Sequence, residues 1–209
     1  MRWDWVWRHL DLIAELTRQH LFLALTPVAV GLLVALPLGI ACARWHWLYP
    51  PMLTAATVFY ALPSLAAFGI FIAFFQTCPM TVIAPLTLYA MSALLPGVVD
   101  GLNSVPAPVR QAATAMGFGP LRRLIQVELP VAVPVLNAGL RVATVSSISL
   151  VSVGSLIGQG GLGDLFTRGF QLDFMTPVIV GIVMIMLLAL LADLVLVGLQ
   201  RLLTPWARR

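Results

Sequence analysis

The sequence contains no lysine, and all twelve of its basic residues are arginine. That absence excludes a P-loop lysine for ATP phosphates and a Schiff-base lysine. Charge of either sign is scarce: 10% of the 209 residues, against about 25% in a soluble domain. Cysteine is limited to Cys42 and Cys78, both near the ends of apolar runs, so no disulfide framework is expected. The histidines are His9, His20 and His46, with no metal-ligand spacing, so no metal site is expected. Residues 1–20 carry charge throughout and lack the apolar core of a cleavable signal peptide. No Asp, Glu or Arg interrupts residues 21–43, 45–99, 142–163 or 174–192.

What remains is apolar: 60% hydrophobic residues and a mean hydropathy of +0.99. A helix needs about 20 apolar residues to cross a hydrocarbon core of about 30 Å. Helices satisfy their own backbone groups, as lipid requires. The sequence therefore predicts an all-α polytopic membrane protein with about five spans, at residues 21–43, 52–75, 80–99, 131–157 and 175–199. The net charge of +4 and pI of about 9.8 come from these few arginines. They do not imply a nucleic-acid partner.

Residues 1–20 alternate Trp, Leu and Ile with charged residues, and Trp3, Trp5 and Trp7 suit a membrane interface. They are expected to form an N-terminal amphipathic helix lying on the surface, followed by a transmembrane domain over residues 21–209. Five spans put the termini on opposite sides. Arg201, Arg208 and Arg209 lie in the tail, Arg110, Arg122 and Arg123 in the 100–130 loop, and Arg44 in the first loop. The positive-inside rule places these segments in the cytoplasm and the N-terminus outside.

The stretch from Arg110 to Pro130 carries the most information. Residues 111–116 favour helix, with Ala at alternate and adjacent positions. Gly117-Phe118-Gly119-Pro120 breaks that helix, and Pro120 suits the first position of another. Leu121, Leu124 and Ile125 share one face of the second helix. Such a compact cytoplasmic helix–turn–helix is suited to docking in a groove of another protein.

This segment resembles the cytoplasmic coupling motif of type I, binding-protein-dependent ABC importer permeases. That motif reads Glu-Ala-Ala, three residues, Gly, nine residues, Ile, any residue, Leu-Pro. Gln111, Ala112, Ala113, Gly117, Val127, Leu129 and Pro130 stand at its positions, with every spacing kept. Gln111 replaces the acid, which removes a charge but keeps helix propensity and side-chain hydrogen bonding, and Val127 replaces isoleucine. Ala61-Leu62-Pro63-Ser64-Leu65-Ala66 is similar to a signature of the osmoprotectant branch (glycine betaine, choline, carnitine). The run from Ile157 to Leu165, with Arg168-Gly169, and Asn137 to Arg141 resemble further parts of that branch, and methionine-type permeases share some of them.

The resemblance implies a permease subunit in a bacterial cytoplasmic (inner) membrane, working by alternating access. Its partners would be an ABC ATPase, a periplasmic or extracellular substrate-binding protein, and a second permease chain, identical or paralogous. ATP and Mg would bind the ATPase, leaving no cofactor and no catalytic residue in this chain. Pro63 and Ser64 are expected to open a break in the second span that lines the substrate path. Tyr60 and Phe68 lie at i−4 and i+4 from Ser64, and aromatic faces attract quaternary ammonium ions. Packing around a kink is the competing reading for these residues. Gly158, Gly160, Gly161 and Gly163 form either a tight external turn or a surface that meets the binding protein. Gly158, Gly160 and Gly163 also match GxGxxG, but that fingerprint works between a strand and a helix. Arg141 is expected to snorkel to the cytoplasmic headgroups, with Asp193 as its alternative partner.

The nearest alternative is the same machine for methionine or another amino acid. From a different class, the chain could be a passive channel or a membrane assembly subunit. An intramembrane hydrolase is disfavoured, since no histidine follows the first loop and no nucleophile–base pair is suggested.

Overall fold

A computed structural model describes residues 3–207. All regular elements among them are helical. Helix α1 spans Asp4–Arg8, α2 Leu10–Arg44, α3 Tyr49–Ala61, α4 Ser64–Phe75 and α5 Met80–Asn103. The short helices α6, Ala107–Ala115, and α7, Pro120–Arg123, follow. Next come α8, Leu129–Val151, α9, Asp164–Gln171, and α10, Met175–Leu203.

Among the described residues, four helices are long and apolar enough to cross a membrane: Leu10–Arg44, Met80–Asn103, Pro120–Ile157 and Met175–Leu203. The α3–α4 pair supplies a fifth crossing or a re-entrant element, because its two arms meet at 97°. Pro63 opens the break between the arms. It cannot donate to the preceding turn, and Leu62 and Pro63 are both extended, with ψ of 135° and 131°.

Helix α5 occupies the middle. One side packs on α2 through Gly31, against Ala90 and Leu94, and through Gly39, against Val98. The other side meets α8 where glycines allow the closest approach. A Cβ at Gly139 would lie 2.8 Å from the Ala93 carbonyl and 3.2 Å from Gly97 Cα. The GxxxG pair Gly97 and Gly101 thus serves the α5–α8 crossing, with Ala132 facing Gly101. Polar bonds complete the centre. Ser147 Oγ donates to the Ala24 carbonyl at 2.7 Å, and His20 Nε2 lies 2.9 Å from the Ile148 carbonyl.

The N-terminal segment departs from the expected surface helix over residues 1–20. Only α1 is separate; from Leu10 the helix runs without a break into the first span. At about 1.5 Å per residue, 35 residues reach roughly 52 Å, well beyond a hydrocarbon core. The projecting end docks on the segment before α10, where Leu16 packs with Leu162 and Leu165. Trp5 stacks on His9 and meets Phe174 edge-on, so it is a packing residue, while Trp3 and Trp7 stay exposed.

Candidate functional site

The structure builds Arg110–Pro130 as two short helices around a tight turn. Helix α6 follows Pro106, whose extended backbone starts it. It ends in two hydrogen bonds: Gly117 N donates to Thr114 O at 3.0 Å, and Phe118 N to Ala113 O at 3.1 Å. Together they form a Schellman motif, which needs a left-handed residue after the helix. Gly117 supplies it, with φ of +80°. No atom lies within 4 Å of a Cβ placed there, so backbone conformation, not space, selects glycine.

Arginine side chains hold the two arms together. Arg123 Nε donates to Glu128 Oε1 at 2.7 Å and its Nη1 to Thr114 Oγ1 at 3.1 Å, bridging α6 and the second arm. Arg110 Nη2 donates to the Leu102 carbonyl in the last turn of α5, where the helix dipole also favours a cation. Arg122 lies 4.4 Å over the Phe118 ring. Arg44, Arg110, Arg123 and Glu128 line a cleft of about 440 Å³ behind this segment.

Motif residues divide by role. Ala113 is buried against the body of the protein, whereas Gln111, Ala112 and Gly117 are exposed. Val127, Leu129 and Pro130 are half-buried where the second arm enters α8. Leu124 packs inward with Val98, Leu102 and Ala132, so it leaves the expected Leu121 and Ile125 face. Leu121 at 70% exposure, Met116 at 69% and Ile125 at 54% are exposed apolar side chains of this segment. The helix continues from Pro120 to Ile157 through a π turn at Leu124–Glu128. Pro130 offers no amide to the preceding turn, and the wider π turn accommodates it.

The expected path residues come apart. The 97° bend removes the i±4 relation that put Tyr60 and Phe68 on one face of Ser64. Phe68 is fully buried among Leu23, Val82, Leu86 and Ile148, so it is core. Tyr60 is half-exposed and meets Tyr89 edge-on at 5.9 Å. The Tyr89 hydroxyl donates to the Leu62 carbonyl at 2.9 Å, across the Pro63 break. Tyr60 and Tyr89 line a small cavity of about 50 Å³ with Ser92, Val142, Ser146 and Ser147. Ser64, partly buried at the start of α4, is not among its lining residues. Tyr89, Ser92 and Ser146 escaped the sequence reading because single hydroxyls in apolar runs carry no spacing signal.

Arg141 does not snorkel. Its Nε and Nη2 form a two-pronged bond to Asp193 of α10, at 2.6 and 2.8 Å. One turn away, buried Asn137 donates to Gln200 Oε1 at 2.9 Å.

The glycine loop is mostly packing. Gly160, Gly161 and Gly163 are buried. A Cβ at Gly161 would lie 2.8 Å from His20 backbone, and one at Gly163 2.4 Å from the Ser152 carbonyl. These three cannot present a surface to a binding protein. Gly158 alone is exposed, at φ +77°, and Gln159 beside it donates to the Thr77 carbonyl at 2.7 Å. Among the described residues, no group of three His, Cys, Asp or Glu could hold a metal.

Residues 35–209 match the family described as "Binding-protein-dependent transport system inner membrane component". The chain is 35% identical over 198 residues to the Osmoprotectant import permease protein OsmW of Salmonella typhimurium, covering 92% of each. It is 32% identical to the glycine betaine/carnitine/choline transport system permease protein OpuCD of Bacillus subtilis, covering 90% of this chain and 82% of that one. It is also 32% identical to the choline transport system permease protein OpuBB of the same organism, over 90% of this chain and 87% of that one. The fold is similar to a chain in an inward-facing structure of the MetNI methionine ABC transporter. There the TM-score is 0.79 at 19% identity, covering 94% of this chain and 98% of that chain.

Proposed function

This chain belongs to the family of binding-protein-dependent transport system inner membrane components, and from that membership we propose that it is the permease subunit of an ATP-driven importer for osmoprotectants of the glycine betaine, choline and carnitine type. The observation that carries the substrate class is the 35% identity to OsmW, over 92% of both chains.

A substrate-binding protein delivers the solute from outside. A separate ATPase subunit carries ATP and Mg, and a second permease chain, identical or paralogous, completes the pore. The N-terminus faces outside and the C-terminus the cytoplasm, as the arginines of the α6–α7 segment and the tail favour. Met116, Leu121 and Ile125, with Gln111 and Ala112 beside them, meet the ATPase. Closure of the ATPase on ATP pushes this patch. The continuous helix Pro120–Ile157 then carries the push from the docking segment to the middle of the membrane. Arg123 keeps α6 moving with that helix, because it bonds both arms. The outward-facing apolar side of α10 turned away from Asp193, with Leu187, Leu191 and Val195, meets lipid.

The test is reconstitution of this chain with its ATPase and binding protein, followed by ATP hydrolysis with and without glycine betaine. Betaine-stimulated hydrolysis is expected. Indifference to betaine together with stimulation by methionine would overturn the substrate class.

A further inference from the structure

We propose that Arg141 and Asp193 form the charge-recognition element of the transport path, opened by a zwitterionic solute carrying a quaternary ammonium and a carboxylate. The inference rests on the functional reading above and deepens it.

The pair is placed unusually for a structural staple. Arg141 lies about 18 Å along α8 from Leu129, at roughly 1.5 Å per residue, well inside the span. Its side chain is 38% exposed and that of Asp193 26%. Charged groups inside a span face a protein interior or a water-filled cavity, since lipid exposure is costly. This face of α8 and α10 therefore borders the path, while the apolar side of α10 meets lipid. A half-buried polar bond, Asn137 to Gln200, already ties α8 to α10 one turn away.

The surroundings fit a small zwitterion. An open groove of about 460 Å³ runs beside the pair along Val142 and Ser146. Val142 and Ser146 also line the cavity that holds Tyr60 and Tyr89. One continuous strip thus offers a guanidinium, a carboxylate, a hydroxyl and two aromatic rings. Guanidinium matches a carboxylate in a two-pronged bond. An aromatic face or a carboxylate matches a quaternary ammonium, which has no N–H to donate.

Opening the pair exposes two charges, and either one left alone inside the membrane is costly. A lone anion re-pairs only Arg141, and a lone cation such as choline only Asp193, so within the class the pair favours the zwitterions glycine betaine and carnitine over choline. A zwitterion re-pairs both at once, so partner exchange leaves no charge unmatched. The native pair thereby discriminates against uncharged solutes, which can re-pair neither.

The test uses the full transporter in proteoliposomes. Reversing the pair, Arg141→Asp with Asp193→Arg, preserves the attraction and inverts its direction. The assembled complex is expected to keep its ATPase partner yet lose glycine betaine uptake at least tenfold. Uptake equal to native, with the pair reversed, would overturn the proposal and leave the pair as a staple. If the reversed protein fails to assemble, a second measurement decides. Val142→Cys in a Cys42→Ala, Cys78→Ser background is labelled by a membrane-impermeant maleimide. Glycine betaine is expected to slow labelling several-fold, and an unchanged rate contradicts the proposal. If the native transporter does not respond to betaine, the substrate class itself fails and this inference with it. A betaine-responsive native protein with a native-like reversed variant sinks this inference alone.

Discussion

Two glycines at left-handed positions do different work. Gly117, at φ +80°, stands in open space, and Gly161, at φ +50°, lies against His20. A side chain at Gly117 meets only the left-handed backbone cost, about 1–2 kcal/mol. Gly117→Val is therefore expected to insert and fold, with betaine-stimulated hydrolysis and uptake falling out of step. Uptake at the native rate in that variant would count against the coupling assignment. Gly161→Ala combines strain with overlap, because its Cβ would sit 2.8 Å from His20 backbone. Its expected outcome is a large fall in the yield of folded protein, read by size-exclusion chromatography in detergent. Spacing alone picked out Gly117. The glycine loop left a turn and a contact surface both open in sequence, because nothing local says that residues 10–20 extend the first span and cover it.

Asp164, at the start of α9, is a third residue with a consequence. Burial pushes its carboxyl above the ordinary carboxylate range, against the opposing pull of Arg168. The folded state then holds this proton more tightly than the unfolded state. Its contribution favours folding in acid and is lost as pH rises from the ordinary carboxylate range through the raised value. Asp164→Asn is expected to flatten that decline in a thermal unfolding series. An unchanged pH slope would show that Asp164 does not contribute.

At the scale of elements, the spans were legible because long charge-free runs have one stable solution in lipid. The break at Pro63 was legible too, but its size was not. Proline removes a hydrogen bond and stops there; the 97° angle depends on α5 receiving both arms. Tyr89 is the tie across that break. Tyr89→Phe is expected to cost about 1 kcal/mol from one lost hydrogen bond, seen as a lower unfolding temperature in detergent with the fold retained. Arg123 plays the same part in the docking segment. Arg123→Ala frees α6 from the second arm, so hydrolysis is expected to persist while its betaine stimulation weakens. Equal stimulation in that variant would show that the two arms need no clamp. The helix–turn–helix of α6 and α7 itself could be read from a helix–Gly–Pro–helix pattern. Its π turn, and the continuity of that arm with α8, could not, since a Leu-Pro pair carries no local mark of either.

On the scale of the whole molecule, scarce and lysine-free charge describes a division of labour. Arginines gather at the docking segment and its cleft, and one arginine–aspartate pair lies within the spans. The helix from Pro120 to Ile157 joins those two places. In the function we propose, nucleotide chemistry belongs to another polypeptide, and this chain converts its motion into access for a solute. Hydrolysis of ATP by the reconstituted permease, ATPase and binding protein, titrated with glycine betaine, tests that assignment most directly. Saturable stimulation by betaine is the expected result. A rate that ignores betaine, in a complex that still hydrolyses ATP and responds to methionine, would contradict it.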